Sequence, residues 1–102
     1  MMKLLPKELE DKFPSIEEAK SEEDPIVLAK YFHPMSDWTW YAAGYSDGIF
    51  WGLVDGHYLE TGLFSLKEME EVKVLGLGIE RDLYFKPIKM SEIKAKIQER
   101  RR

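Results

Sequence analysis

Residues Trp38 to Phe64, WTWYAAGYSDGIFWGLVDGHYLETGLF, hold most of the chain's aromatic side chains and not one Lys or Arg. Two Asp-Gly pairs, Asp47-Gly48 and Asp55-Gly56, interrupt apolar runs, which is the strongest short-range signal for a β-hairpin. The stretch therefore reads as a three-stranded antiparallel meander. A two-residue turn at Asp47-Gly48 pairs Tyr45 with Phe50, Gly44 with Trp51, Ala43 with Gly52, Ala42 with Leu53 and Tyr41 with Val54, so that large residues face small ones or one another. For the second hairpin a four-residue connection, Asp55 to Tyr58, pairs Val54 with Leu59, Gly52 with Thr61 and Phe50 with Leu63.

Period-two alternation then divides the meander into two faces. Trp38, Trp40, Ile49, Trp51, Leu53 and Phe64 fall on one; Tyr41, Tyr45, Phe50, Val54, Leu59 and Leu63 fall on the other. Both are apolar, whereas an antiparallel sheet commonly leaves one side to water. The sheet must be covered on both sides or must offer one side to a partner.

On the N-terminal side, Pro6 to Phe13 predicts a short helix, with Pro at its first position, acids early and Pro14 as its stop. Ser15 to Asp24 is acidic, with Ser15 and Glu18 at capping-box spacing, and predicts a surface turn of helix or a loop. Ile26 to Phe32 predicts the first strand. After Phe64 the period lengthens: Ser65 and Glu68 cap a helix over 66–72 with Leu66, Met69 and Val72 on one stripe. Val74 to Ile79 is a loop or short strand, Leu83 to Lys86 a last strand stopped by Pro87. A final helix over 91–100 turns Met90, Ile93 and Ile97 inward. The fold class is α+β: a small antiparallel sheet of about four to five strands, a meander at its centre, with short flanking helices. The 102 residues are expected to form a single domain, with the sheet core over 26–87 and a basic C-terminal helix over 91–102.

Composition narrows the function. With 44% hydrophobic and 33% charged residues and no apolar run near membrane-spanning length, the chain reads as a globular protein without membrane contact, and it carries no recognisable leader, so a cytoplasmic location is expected. The absence of cysteine excludes disulfides, thiolate chemistry and cysteine zinc sites. His33 and His57 have acids nearby but no metal-ligand spacing, Gly76 and Gly78 lack the rest of a phosphate-loop fingerprint, and no Ser, His and acid combination marks a nucleophile. No metal and no cofactor are expected, and enzymatic activity is not the leading reading.

What remains is surface. Burying each large aromatic contributes up to about 4 to 6 kcal/mol by area, so most belong to the core. One or two of Trp38, Trp40 and Tyr41 are expected to stay partly exposed and mark a contact surface for a protein partner or a second copy. Glu80-Arg81-Asp82 sets three charges between apolar segments; Arg81 paired with a carboxylate is the structural reading. Asp55, His57, Arg81 and Asp82 complete the candidate binding residues, and their convergence in a cleft would be needed for a hydrolytic or metal-dependent site. The charge is also uneven. Residues 31–64 carry four acids and no base, whereas residues 86–102 carry seven bases against two acids. The basic tail, with Lys94, Lys96, Arg100 and Arg101, suggests nucleic acid as the alternative partner.

Several short stretches carry a resemblance. Asp24-Pro-Ile-Val27, then Phe32 with Asp37-Trp-Thr-Trp-Tyr-Ala42, Phe50 to Gly56 (FWGLVDG), Gly62-Leu-Phe-Ser-Leu66 and Leu75-Gly-Leu-Gly-Ile-Glu-Arg-Asp-Leu-Tyr-Phe-Lys-Pro87 follow one another as in a small uncharacterised family, domain of unknown function 2958. The similarity covers roughly residues 4 to 93. Asp37 stands where relatives carry Asn, and the acidic segment and basic tail look individual. The resemblance brings no activity; it implies an accessory protein of plasmids and other mobile elements, acting on host defence or DNA transfer.

Overall fold

The computed structural model describes residues 2–101, and within them the α+β arrangement is as expected. In chain order the elements are α1 (Lys7–Glu10), α2 (Ile16–Ser21), β1 (Ile26–Val27), β2 (Ala29–Phe32), β3 (Thr39–Ser46), β4 (Ile49–Asp55) and β5 (Leu59–Ser65). They continue as α3 (Leu66–Glu71), β6 (Glu80–Arg81), β7 (Ile88–Lys89) and α4 (Met90–Arg100). A five-stranded antiparallel sheet runs in the order β5-β4-β3-β2-β6, and β1 pairs with β7 in a separate two-stranded ribbon.

The first hairpin starts as its turn dictates. Asp47 and Gly48 both take positive φ, as a two-residue turn requires, and Tyr45 faces Phe50 and Gly44 faces Trp51. The register then slips by one residue between Ala42 and Gly44, so that Ala42 faces Gly52, Tyr41 faces Leu53 and Trp40 faces Val54. The bulge sits where close packing demands it. A Cβ on Gly52 would stand 1.9 Å from the Tyr41 carbonyl oxygen, and one on Gly44 would stand 2.8 Å from Cβ of Ala19 in α2. Because side chains alternate, a one-residue slip exchanges faces.

The second hairpin also departs from expectation. Asp55 pairs with Leu59 across a three-residue connection, Gly56-His57-Tyr58, and Phe50 faces Phe64 where Leu63 was expected. The two rings lie 5.4 Å apart and nearly parallel, a contact the longer loop would forfeit.

Consequently the faces are re-sorted. Tyr31, Trp40, Ala42, Phe50, Val54 and Phe64 pack beneath Leu4, Leu5, Leu9, Phe13, Met69 of α3 and Ile79. Tyr41, Ala43 and Leu53 pack beneath Met90, Ile93 and Ile97 of α4, with Val27 and Phe85 alongside. Both sides are thus covered, one by the N-terminal segment with α3, the other by α4. The Tyr31 hydroxyl donates to the Leu4 carbonyl at 2.8 Å and ties the N-terminal segment to the sheet; burial pushes its phenol well above the usual range.

Smaller corrections have local causes. The helix expected over 6–13 shortens to α1 because Lys12 and Phe13 already bond three residues back, to Leu9 and Glu10. Ser15 does cap α2 in a full capping box with Glu18. The strand expected over 26–32 divides between two sheets at Leu28, and the last strand of the main sheet is β6, not Leu83 to Lys86. There the Asp82 carboxylate accepts from the Tyr84 N–H at 2.9 Å and turns the chain away from the sheet.

Candidate functional site

Of the three aromatics expected at a contact surface, Trp38 stays exposed, at one end of the meander. Trp38 precedes β3 and keeps 37% of its surface exposed. Its ring lies 6.1 Å from that of partly buried Trp40 and meets His57 edge-on at 5.7 Å. The benzo ring rests on Gly56, so the short second turn, which carries exposed His57 and Tyr58, forms one wall of the cluster. Glu60, opposite Val54 and hence in the same cross-strand row as Trp40, is exposed, as is Asp37. Aromatic rings and carboxylates are gathered here without a cation from residues 31–64.

Tyr41 does not belong to this surface. Next to Trp40 in β3, it points to the opposite, α4 face, where it is 5% exposed, 6.3 Å from the Phe85 ring and beneath the Lys30 ammonium, which lies 5.9 Å from its ring centroid. Burial pushes its phenol upward, against the pull of the Arg100 guanidinium.

Asp55 is engaged within the chain, because the Arg101 guanidinium pairs with its carboxylate and donates to the Gly56 carbonyl at 3.0 Å. Asp82 stands 4.0 Å from Lys30. Arg81 has no carboxylate within ion-pair range among the described residues, so the pairing expected for it is absent there, and its buried Nε has no hydrogen-bond partner.

His57 and Arg81 do not converge. Glu80 faces Phe32, Phe32 faces Thr39 and Thr39 faces Asp55, so three interstrand spacings, about 14 Å in all, separate β6 from the strand leading into the His57 turn. Among the described residues no group of three or more His, Asp or Glu could hold a metal ion. His33, buried at the end of β2, is satisfied structurally. It accepts the Met35 N–H at Nδ1, which leaves Nε2 to donate to the Leu77 carbonyl, 3.0 Å away.

The basic residues near the C-terminus divide between two flanks of α4. At 100° per residue Lys96 and Arg100 lie on one side of the buried stripe of Met90, Ile93 and Ile97, whereas Lys94 and Arg101 lie on the other. Arg102 lies outside the described residues. Lys96 and Arg100, with Lys30, border a groove of 580 Å³ floored by Tyr41, Phe85 and Ile93. Sequence reading did not find this groove, because Lys30 and Tyr41 reach it only through the register of β2 and β3. Among the described residues no helix is long and apolar enough to cross a membrane.

No curated protein and no solved structure matches the chain. A family model does, over residues 4–100, nearly the whole length and with it the aromatic meander, Arg81 and α4. On that match the chain belongs to the family described as "Protein of unknown function (DUF2958)".

Proposed function

We propose that the protein is a non-enzymatic binding module that docks a basic segment of a partner protein on the aromatic end of its sheet, at Trp38, Trp40 and His57. The observation that carries this reading is the exposure of Trp38 within a cluster bordered by Asp37 and Glu60, to which residues 31–64 contribute carboxylates and no Lys or Arg. A Lys or Arg side chain over an indole face gains a cation–π contact of about 0.5–2 kcal/mol, and flanking carboxylates add attraction of the same sign. The turn beside the cluster already holds one guanidinium, that of Arg101, through Asp55 and the Gly56 carbonyl.

This reading replaces the broader one that included Tyr41, which is buried on the other face. It is favoured over nucleic acid because the cations of α4 do not form a single stripe. An accessory role on a plasmid or other mobile element is the setting that the family resemblance suggests, and the neighbouring genes test it; the cytoplasmic location rests on the composition alone.

Tryptophan fluorescence titrated with an Arg- and Lys-rich peptide and with a Glu-rich peptide of equal length tests the surface itself. The basic peptide is expected to change the emission and to lose at least about tenfold in affinity in Trp38→Ala, a step of about 1.4 kcal/mol. Equal binding of the acidic peptide, or unchanged affinity in Trp38→Ala, refutes the reading.

A further inference from the structure

The groove beneath α4 is built of other residues and opens on the other face of the sheet from Trp40. Its volume of 580 Å³ falls within the range of about 300–1,000 Å³ in which small-molecule sites are found. Its floor is apolar: the Tyr41 and Phe85 rings, 6.3 Å apart and inclined at 53°, with Ile93 and Ile97 from the buried stripe of α4. Its rim is cationic. Lys96 and Arg100 stand one helical turn apart on the same flank, and Lys30 reaches over Tyr41 from β2.

These charges are not consumed inside the fold. Among the described residues no carboxylate lies within ion-pair range of Lys96 or Arg100, and Lys30 has only Asp82, at the limit of 4.0 Å. A purely solvated basic rim would need no aromatic floor. A purely structural floor would be closed by apolar side chains. Three cations face one lining carboxylate, Glu99, in a chain whose net charge is −4. Even with Asp82 beside Lys30 the rim keeps a net positive charge, which favours a strongly anionic ligand such as a phosphate monoester, at about −1.5 to −2 at neutral pH. Arg100 adds a planar fork suited to phosphate oxygens, and the two lysines add point charges.

We infer that the α4 groove binds a small phosphate monoester with a flat apolar body, its ring on Tyr41 and Phe85 and its phosphate held by Arg100, Lys96 and Lys30. A carboxylate monoanion lacks the third oxygen and the added charge with which a phosphate can engage all three cations. Inorganic phosphate lacks the body the floor accommodates.

The intact chain, ¹⁵N-labelled and titrated at fixed pH and ionic strength with phenyl phosphate, benzoate, benzyl alcohol and inorganic phosphate, tests the assignment. Phenyl phosphate is expected to shift the amides of Lys30, Tyr41, Phe85, Lys96 and Arg100. It should bind at least about tenfold more tightly than benzyl alcohol or inorganic phosphate, and more tightly than benzoate. Lys96→Gln with Arg100→Gln, both exposed and therefore neutral to folding, should weaken it by at least about tenfold. Lys67→Gln, on α3 at the opposite face, should leave it unchanged. The proposal is overturned if those amides do not move, if benzoate or inorganic phosphate binds as tightly, or if the double variant binds as the native chain does. The amides that move also separate this site from the Trp38 surface, whose failure or success is read on residues 37–40 and 56–60.

Discussion

The benzo ring of Trp38 rests on the backbone of Gly56 so closely that a Cβ there would stand 2.6 Å from Cζ3 and Cη2. Gly56 has no positive φ to require glycine, so the ring alone fixes the residue. Gly56→Ala is expected to lift the half-free indole outward, lower stability by about 1 kcal/mol and shift tryptophan emission to the red. Gly52→Ala provides the contrast. Its Cβ would meet the Tyr41 carbonyl oxygen at 1.9 Å, backbone that cannot swing aside, and a loss of about 3 kcal/mol or more is expected in urea unfolding. If Gly56→Ala leaves the emission unchanged, Trp38 does not lie on this turn in solution.

Asp24 caps a helix it does not belong to. Lys89 stands at the N-cap of α4 without a side-chain hydrogen bond, and in its place the Asp24 carboxylate accepts from the Ser91 N–H at 3.0 Å and the Ser91 hydroxyl at 2.6 Å. The Ser91 hydroxyl first, then its N–H, with Lys89 and Lys94 nearby, hold the Asp24 carboxyl below its ordinary value of 3.8. A carboxyl depressed in the folded state stabilises fully above the unfolded value, and that contribution fades as pH falls through the folded one. On acidification from about pH 5 to pH 3 the native chain should lose more stability than Asp24→Asn. Parallel urea midpoints for the two chains would contradict the capping role.

Leu75 and Gly76 form the tip of a tight turn whose flanks, Val74 and Leu77, exchange hydrogen bonds of 2.8 and 2.9 Å. Both tip residues have positive φ, 54° and 80°, the type I′ geometry for which Asn-Gly is the favoured pair. Leucine there carries a left-handed strain of about 1–2 kcal/mol, and at 83% exposure it recovers nothing by packing. Leu75→Asn is expected to raise stability by about 0.5–1 kcal/mol. A loss would mean that Leu75 is covered in solution, by a second copy if sedimentation also changes.

These positions differ in how far the residues alone reveal them. Local chemistry was readable: the Asp47-Gly48 turn with its first two cross-strand pairs, the Ser15 cap of α2, the Ser65 cap of α3 and the inward stripe Met90, Ile93 and Ile97 of α4. Contacts between distant segments were not. The bulge at Ala43 exists because α2 lands on Gly44 and β3 presses on Gly52, and neither approach leaves a mark in the spacing of apolar residues. Its effect is large, since one residue of slip parts Tyr41 from Tyr45 and Phe50, with which alternation groups it, and sets Trp40 on their face instead. The covering of the first face by Leu4 and Leu5 was equally hidden, because the five residues ahead of Pro6 are too few to carry a period. Trp38 was legible only as one of three aromatics, with Trp40 and Tyr41, of which one or two were expected to stay partly exposed because both faces of the meander are apolar. Lys30 was not legible as a partner of Arg100, since only the folded sheet brings β2 under α4.

Arg81 sits opposite Tyr31 at the edge of the sheet, with its Nε buried and without a hydrogen-bond partner among the described residues, and it lines a cleft with Leu9 and Leu83. Its neighbour Asp82 has turned to the opposite face and meets Lys30 instead. A buried donor without an acceptor costs about 1–3 kcal/mol, whereas the stem gains from packing. The two contributions can be separated by substitution. Arg81→Met keeps a stem of similar length and removes the orphan donor, so stability is expected to hold or to rise by up to about 1 kcal/mol. Arg81→Ala removes both and is expected to lower it by about 1 kcal/mol. Should Arg81→Met instead lose more than about 2 kcal/mol, the guanidinium has a charged partner in solution, and the cleft shared with Lys12 becomes the place where that anion sits.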